Sequence, residues 1–167
     1  MKSENKITIE LLEEHEKVNF YTIQYDGETE NEFIKFINQF AEQPKYKKDL
    51  LIIIAWIDKI ATRGALERNF RTAESKMNDG VCAIPIETSK LRLYCLRISD
   101  EILIIGSGGI KNKKTYNEDS KLNDCVSILA SLDKYIKTKK KTANISIIGK
   151  TITGDLSFVI KQNNITK

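Results

Sequence analysis

The chain predicts an α+β domain: an antiparallel β meander with segregated helices, carrying an additional hairpin at each end. Three observations carry that expectation. Residues 81–106 hold three apolar, β-branched runs joined by links of two or three residues, too short for a crossover helix. Two helical periodicities precede these runs and a third follows them. Alternating segments with turn signals occupy both ends.

Residues 6–12 and 18–25 alternate or carry β-branched and aromatic residues around the acidic loop 13–17, which predicts a hairpin within residues 1–27. Thr29 and Glu32 form a capping box, and Phe33, Phe36, Ile37 and Phe40 recur at helical spacing, giving an amphipathic helix ended by Pro44. Leu50, Ile53, Ile54, Ile57 and Ile60 keep the same spacing inside an apolar stretch, so a buried helix is expected over about residues 45–63, closed by Gly64. Residues 65–79 are charged and predict a turn or two of helix with exposed arginines. Runs 81–87, 91–99 and 101–106 make the meander. From Asn117, an N-cap followed by two acids, the spacing of Leu122, Cys125, Val126, Leu129, Leu132 and Ile136 predicts a helix ending in the lysine run 137–141. The last segment, NISIIGKTITGDLSFVI, predicts a hairpin within residues 143–161 turned at Thr153-Gly154-Asp155.

At 167 residues with 41% apolar content, the chain is long enough for one domain, 1–167, with a real core. The N-terminus lacks an apolar signal core and the longest apolar run, residues 50–57, is far short of a membrane span, so no membrane partner is expected. Cys82, Cys95 and Cys125 are odd in number and lie in apolar surroundings, which argues for reduced thiols and a cytoplasmic location. One histidine and no CxxC pair leave no ligand set for a structural zinc, and no cofactor is expected.

The net charge of +4 hides a division. Residues 1–44 carry four lysines against ten acids, a balance of −6, so residues 45–167 carry 23 basic against 13 acidic groups, a balance of +10. All five arginines, Arg63, Arg68, Arg71, Arg92 and Arg97, fall within 35 residues, and arginine offers a planar fork for phosphate that lysine lacks. Clustered arginines also serve helix ends and surface ion pairs, and the sequence leaves both readings open.

Gly106-Ser107-Gly108-Gly109 invites comparison with phosphate loops and fits neither glycine fingerprint. A Walker loop requires Ser or Thr after its lysine, and Lys111 occupies the third glycine position of GxGxxG. A sharply bending strand-end loop is expected there instead. His15 lies in the acidic loop, remote from the basic part, and reads as a surface residue. Cys95 sits in an apolar strand, where a thiol is inert unless a cation lowers its pKa. Arg92 and Tyr94 are two apart on one strand and share a face, with Arg97 on the other. Beside Lys111, Lys113, Lys114 and Tyr116 they would make a group of cations and phenols suited to RNA, the cations holding phosphates and the tyrosines stacking on bases. A lysine-rich turn with one snorkelling arginine is the plainer alternative.

Two segments resemble the RelE/HigB-like toxins of bacterial type II toxin/antitoxin pairs, particularly the phage-derived HigB-like branch. They are LRLYCLR at 91–97 and ILIIGSGGIKNKKTYNED at 102–119, and the resemblance covers about residues 63–136. It implies a RelE-like core and a metal-independent mRNA endoribonuclease in which the ribose 2′-hydroxyl attacks the adjacent phosphate, usually on the ribosome. It also implies a cognate antitoxin, a small helix-turn-helix protein. Under it Arg92, Lys114 and Tyr116 are the catalytic candidates, and Arg71, Lys76, Tyr94, Lys111 and Lys113 the RNA-binding ones. Gly106-Ser107 stands where many HigB-like members have a histidine. That departure favours the rival reading, a non-catalytic phage or mobile-element interaction protein on the same scaffold.

Overall fold

The β-branched and aromatic run Asn19–Tyr25 forms strand β2, antiparallel to β1 (Glu4–Glu14), as expected of a hairpin. A computed structural model of the protein describes residues 4–72, 80–86, 90–112 and 120–161. Two helices follow β2. Helix α1 (Glu32–Ala41) is capped by Asn31, whose Oδ1 accepts the Ile34 N–H at 2.8 Å, so the cap lies two residues after the expected Thr29. Helix α2 (Pro44–Arg63) begins at Pro44, which cannot donate a backbone hydrogen bond and therefore suits a first turn; it opens this helix and does not close the preceding one. Gly64, at φ +97°, ends α2 and donates its N–H to Ile60 O at 2.7 Å.

After a 3-10 turn at Glu67–Asn69 come the two-residue strand β3 (Arg71–Thr72) and the meander β4 (Val81–Ala83), β5 (Leu91–Ser99) and β6 (Ile102–Ile110). Helix α3 (Ser120–Lys141) follows; its expected cap Asn117 lies outside the described residues. Seven of the described strands, including a last strand β9 (Ser157–Lys161), form one sheet in the order β3-β4-β5-β6-β2-β1-β9. One of its pairings is parallel: β2 runs alongside β6, Asn19 opposite Ile102 and Thr22 opposite Ile105. The buried Thr22 Oγ1 donates to Ile105 O at 2.7 Å across that seam.

The C-terminal segment departs from the expected hairpin. Strands β7 (Ile145–Ile148) and β8 (Thr151–Gly154) turn at Gly149-Lys150, and the next strand, β9 (Ser157–Lys161), leaves them to pair antiparallel with β1. At the Thr153–Asp155 position the chain is instead crossing back to the main sheet. Ile7 opposite Phe158 extends the apolar face of β1, which a free hairpin would leave open, and on the other side Thr8 Oγ1 and Ser157 Oγ share a hydrogen bond at 2.9 Å.

Helices cover both faces. On one, α1 and α2 bury Phe36, Phe40, Ile53 and Ile60 against Phe20, Leu93, Cys95 and Ile105. On the other, α3 buries Leu122, Val126, Leu129 and Leu132 against Tyr21, Tyr94, Leu96 and Ile104. Alternation along β5 and β6 decides which residue meets which layer. No helix among the described residues is long and apolar enough to cross a membrane.

Candidate functional site

The glycine run is part of a strand. Strand β6 continues through Gly106, Ser107, Gly108 and Gly109 to Ile110, in place of the strand-end loop expected there. Leu93 pairs with Gly108 but Cys95 pairs with Ile105, so β6 carries one extra residue opposite Tyr94, a bulge at Gly106-Ser107. The bulge lets the backbones close up. A Cβ on Gly108 would run into the Arg92 carbonyl, and one on Gly106 would meet Leu129 at 3.2 Å.

Beyond the bulge the sheet ends in cations. Arg92 pairs with Gly109, Lys111 N donates to Lys90 O at 2.6 Å, and Lys121 Cε stands 3.3 Å from the position of a Cβ on Gly109. Lys90, Arg92, Lys111 and Lys121 thus come from two strand ends and a helix start to one end of the sheet. Lys90 and Lys121 are exposed, Lys111 is half-buried, and Arg92 is only 8% exposed, with its Nη1 donating to Leu91 O at 3.0 Å.

One expectation needs correction. Tyr94 does share the Arg92 side of β5, but it is 1% exposed in the core beneath α3, so its ring has no face for a base to stack on. Arg92 sits under the start of α3 at the Gly109 position, a mostly buried cation at the basic end. Arg71 holds the outermost strand of the described sheet, opposite Ala83. Lys76, Lys113, Lys114 and Tyr116 lie outside the described residues. Arg97 is on the other face, donating its Nε to Ala65 O at 2.7 Å and pairing with Asp100.

A crevice of about 360 Å³ adjoins the basic end. Its position follows from the topology. The parallel neighbours β2 and β6 lead onward in sequence to α1 and α3, which pack on opposite faces, and that divergence leaves a gap beyond the carboxyl ends of the two strands. Tyr25 comes from the end of β2, Glu32 from the first turn of α1, and Ser107 from the bulge. Lys121, Asp124 and Cys125 come from the first turns of α3, and Ile23, Ile128 and Leu129 supply apolar walls. Periodicity treats these as four unrelated segments. The one local signal was the glycine run, two of whose residues, Gly106 and Ser107, line the crevice.

The electrostatics of the crevice are mixed. Burial, reinforced by Glu32, pushes the Tyr25 phenol above its ordinary value, so near neutral pH it stays a hydrogen-bond donor. Burial pushes the Cys125 thiol up to about 12, despite Lys121 nearby and a hydrogen bond with Ser107, so this thiol is no nucleophile. Lys35 bridges Glu28 at 2.7 Å and Glu32 at 2.9 Å, and those bonds outweigh its burial and raise its pKa. Lys121 and Asp124 are the exposed charges at the rim.

His15 is remote from all of this. It sits in the β1–β2 turn, its Nε2 2.9 Å from Glu13 Oε1 and its ring edge-on to Phe20. That is the Asn19–Ile102 end of the sheet, about 26 Å from Ile110 at strand rise. Among the described residues no group of His, Cys, Asp and Glu could hold a metal. No known protein family, curated protein or solved structure matches the chain.

Proposed function

We propose that the protein is a RelE/HigB-like RNA-binding protein that holds the phosphate backbone at the β5–β6 end of its sheet, with RNA, free or on the ribosome, as its partner. The observation that carries this reading is the gathering of Lys90, Arg92, Lys111 and Lys121 at that end, where Lys113 and Lys114 follow in sequence. Two exposed lysines at the same sheet end as a buried arginine suit a polyanion, because each phosphate contact releases condensed counterions. A reducing cytoplasm accords with Cys82 and Cys95, which stay free although they are paired opposite each other on β4 and β5.

Cleavage by 2′-hydroxyl attack is the further step of this reading, with Arg92 steadying the phosphate and Lys114 and Tyr116 assisting. A helix-turn-helix antitoxin would then be the protein partner. The position of His15 favours the rival, a non-catalytic interaction protein on the same scaffold, since the chain's one imidazole lies at the wrong end to serve as a base.

The deciding experiment incubates single-stranded RNA with the purified chain in low salt and chelator. Binding that weakens in the Lys90→Glu, Lys111→Glu double variant supports the reading. Products ending in a 2′,3′-cyclic phosphate select the nuclease, and intact bound RNA selects the interaction protein. If the wild-type chain binds no RNA at low salt, the reading is wrong.

A further inference from the structure

We propose that the crevice beside the basic end receives one base of the bound RNA, and that the base is guanine; this rests on the RNA-binding reading above. The geometry points to a base for three reasons. The crevice is contiguous with the phosphate-holding end, because Lys121 both lines it and lies over Gly109 beside Arg92. A nucleotide whose phosphate meets Lys121 therefore has its base at the mouth. Its walls offer apolar surface from Ile23, Ile128 and Leu129 and an aromatic ring from Tyr25, the surroundings an unstacked base requires. Its volume, about 360 Å³, lies in the range of small-ligand sites.

The polar groups select among bases. Asp124 and Glu32 are carboxylates, which accept hydrogen bonds and donate none when ionised. Glu32 is tied to Lys35 through Oε2 and its side chain is only 12% exposed, whereas Asp124 is exposed at the rim, so Asp124 is the carboxylate that meets a ligand edge. Guanine alone among the four bases presents two adjacent donors, N1–H and the 2-amino group, to such a carboxylate. Adenine and cytosine place a ring acceptor beside their amino group, and uracil flanks its N3–H with two carbonyls. Each of these sets an oxygen or nitrogen lone pair against Asp124. The protonated Tyr25 phenol and the Ser107 hydroxyl are the donors left for a purine O6 or N7.

Calorimetric titration of the full chain with the four nucleosides tests the pocket without any phosphate, and a guanine-free single-stranded RNA tests the basic end without guanine. The expected result is guanosine binding at least about tenfold tighter than adenosine, cytidine or uridine, with that preference lost in Asp124→Asn. Guanine-free RNA binding with no guanosine binding, or guanosine binding indifferent to Asp124→Asn, overturns the pocket and leaves the RNA reading intact. Guanosine binding with no binding of any RNA overturns the assignment to an RNA base along with the RNA reading. No binding of either probe overturns both.

Discussion

Gly109 stands opposite Arg92 across the β5–β6 ladder, and Lys121 of α3 crowds the space where a Gly109 side chain would be, its Cε 3.3 Å from that Cβ position. One residue earlier, Gly108 has the Arg92 carbonyl in that place. The two glycines therefore serve different purposes: Gly108 allows two backbones to meet, and Gly109 allows a lysine to lie down beside a buried arginine.

Gly108→Ala and Gly109→Ala should consequently differ. At Gly108 the obstructing atoms are the backbone of Arg92 and Leu93, which cannot turn aside, so alanine is expected to cost about 3 kcal/mol or more. At Gly109 the nearest atom is the far end of Lys121, which swings away, and the cost should stay under about 1 kcal/mol. Urea unfolding of both variants measures this, and equal tolerance at the two sites would contradict the bulged register.

RNA binding should show the charge geometry in its salt dependence. Replacing Lys90 or Lys111 by alanine should each lower the slope of log K against log salt by about 0.7 for a single strand. Lys140→Ala and Lys141→Ala should leave it unchanged. Those lysines end α3, a helix of 22 residues and so about 33 Å long, whose other end carries Lys121. A slope that responds to the α3 C-terminal pair and not to Lys90 or Lys111 would move the binding face to the other end of the molecule.

Periodicity was enough to find α1, α2, α3 and the meander, because each buries one face against the sheet and repeats at its own period. It failed at Gly106 to Gly109 for a physical reason: a residue without a side chain contributes nothing to an alternation pattern, so a continuing strand looked like its end. The C-terminal segment misled for another. Phe158 finds its partner in Ile7, about 150 residues away, and local turn signals are blind to that pairing. Arg92 and Tyr94 were placed on a common side of β5 by alternation alone. Their burial was not legible, since it depends on α3 lying over that side, a tertiary fact. The crevice was invisible for the same reason, its polar groups being brought together by the parallel β2–β6 pairing.

Tyr21 ties the small β7–β8 hairpin to the main sheet. Its phenol accepts the buried Ile152 N–H at 3.0 Å, so Tyr21→Phe leaves that donor without its acceptor and should cost about 1–3 kcal/mol. Hydrogen exchange at the Ile152 amide should accelerate while β5 and β6 amides keep their protection relative to global stability. Uniform acceleration would mean that the hairpin and sheet open together.

Stability should fall in alkali through the buried thiols. Burial pushes Cys82 and Cys125 from an ordinary 9.0 to about 12, and holds Cys95 well above 9.0 too. A group whose folded pKa is raised contributes fully below its unfolded pKa, so nothing thiol-linked changes under pH 9. Between pH 9 and 12 the unfolded chain loses thiol protons that the native state retains, and the contribution drains by at most about 4 kcal/mol per group. Cys82→Ala with Cys125→Ala should flatten this limb, while the lysines and tyrosines titrate alike in both proteins and cancel in the comparison. The check is the urea midpoint at intervals from pH 7 to 11. Parallel curves for the two proteins would show that the thiols ionise in the native state as readily as in the unfolded chain.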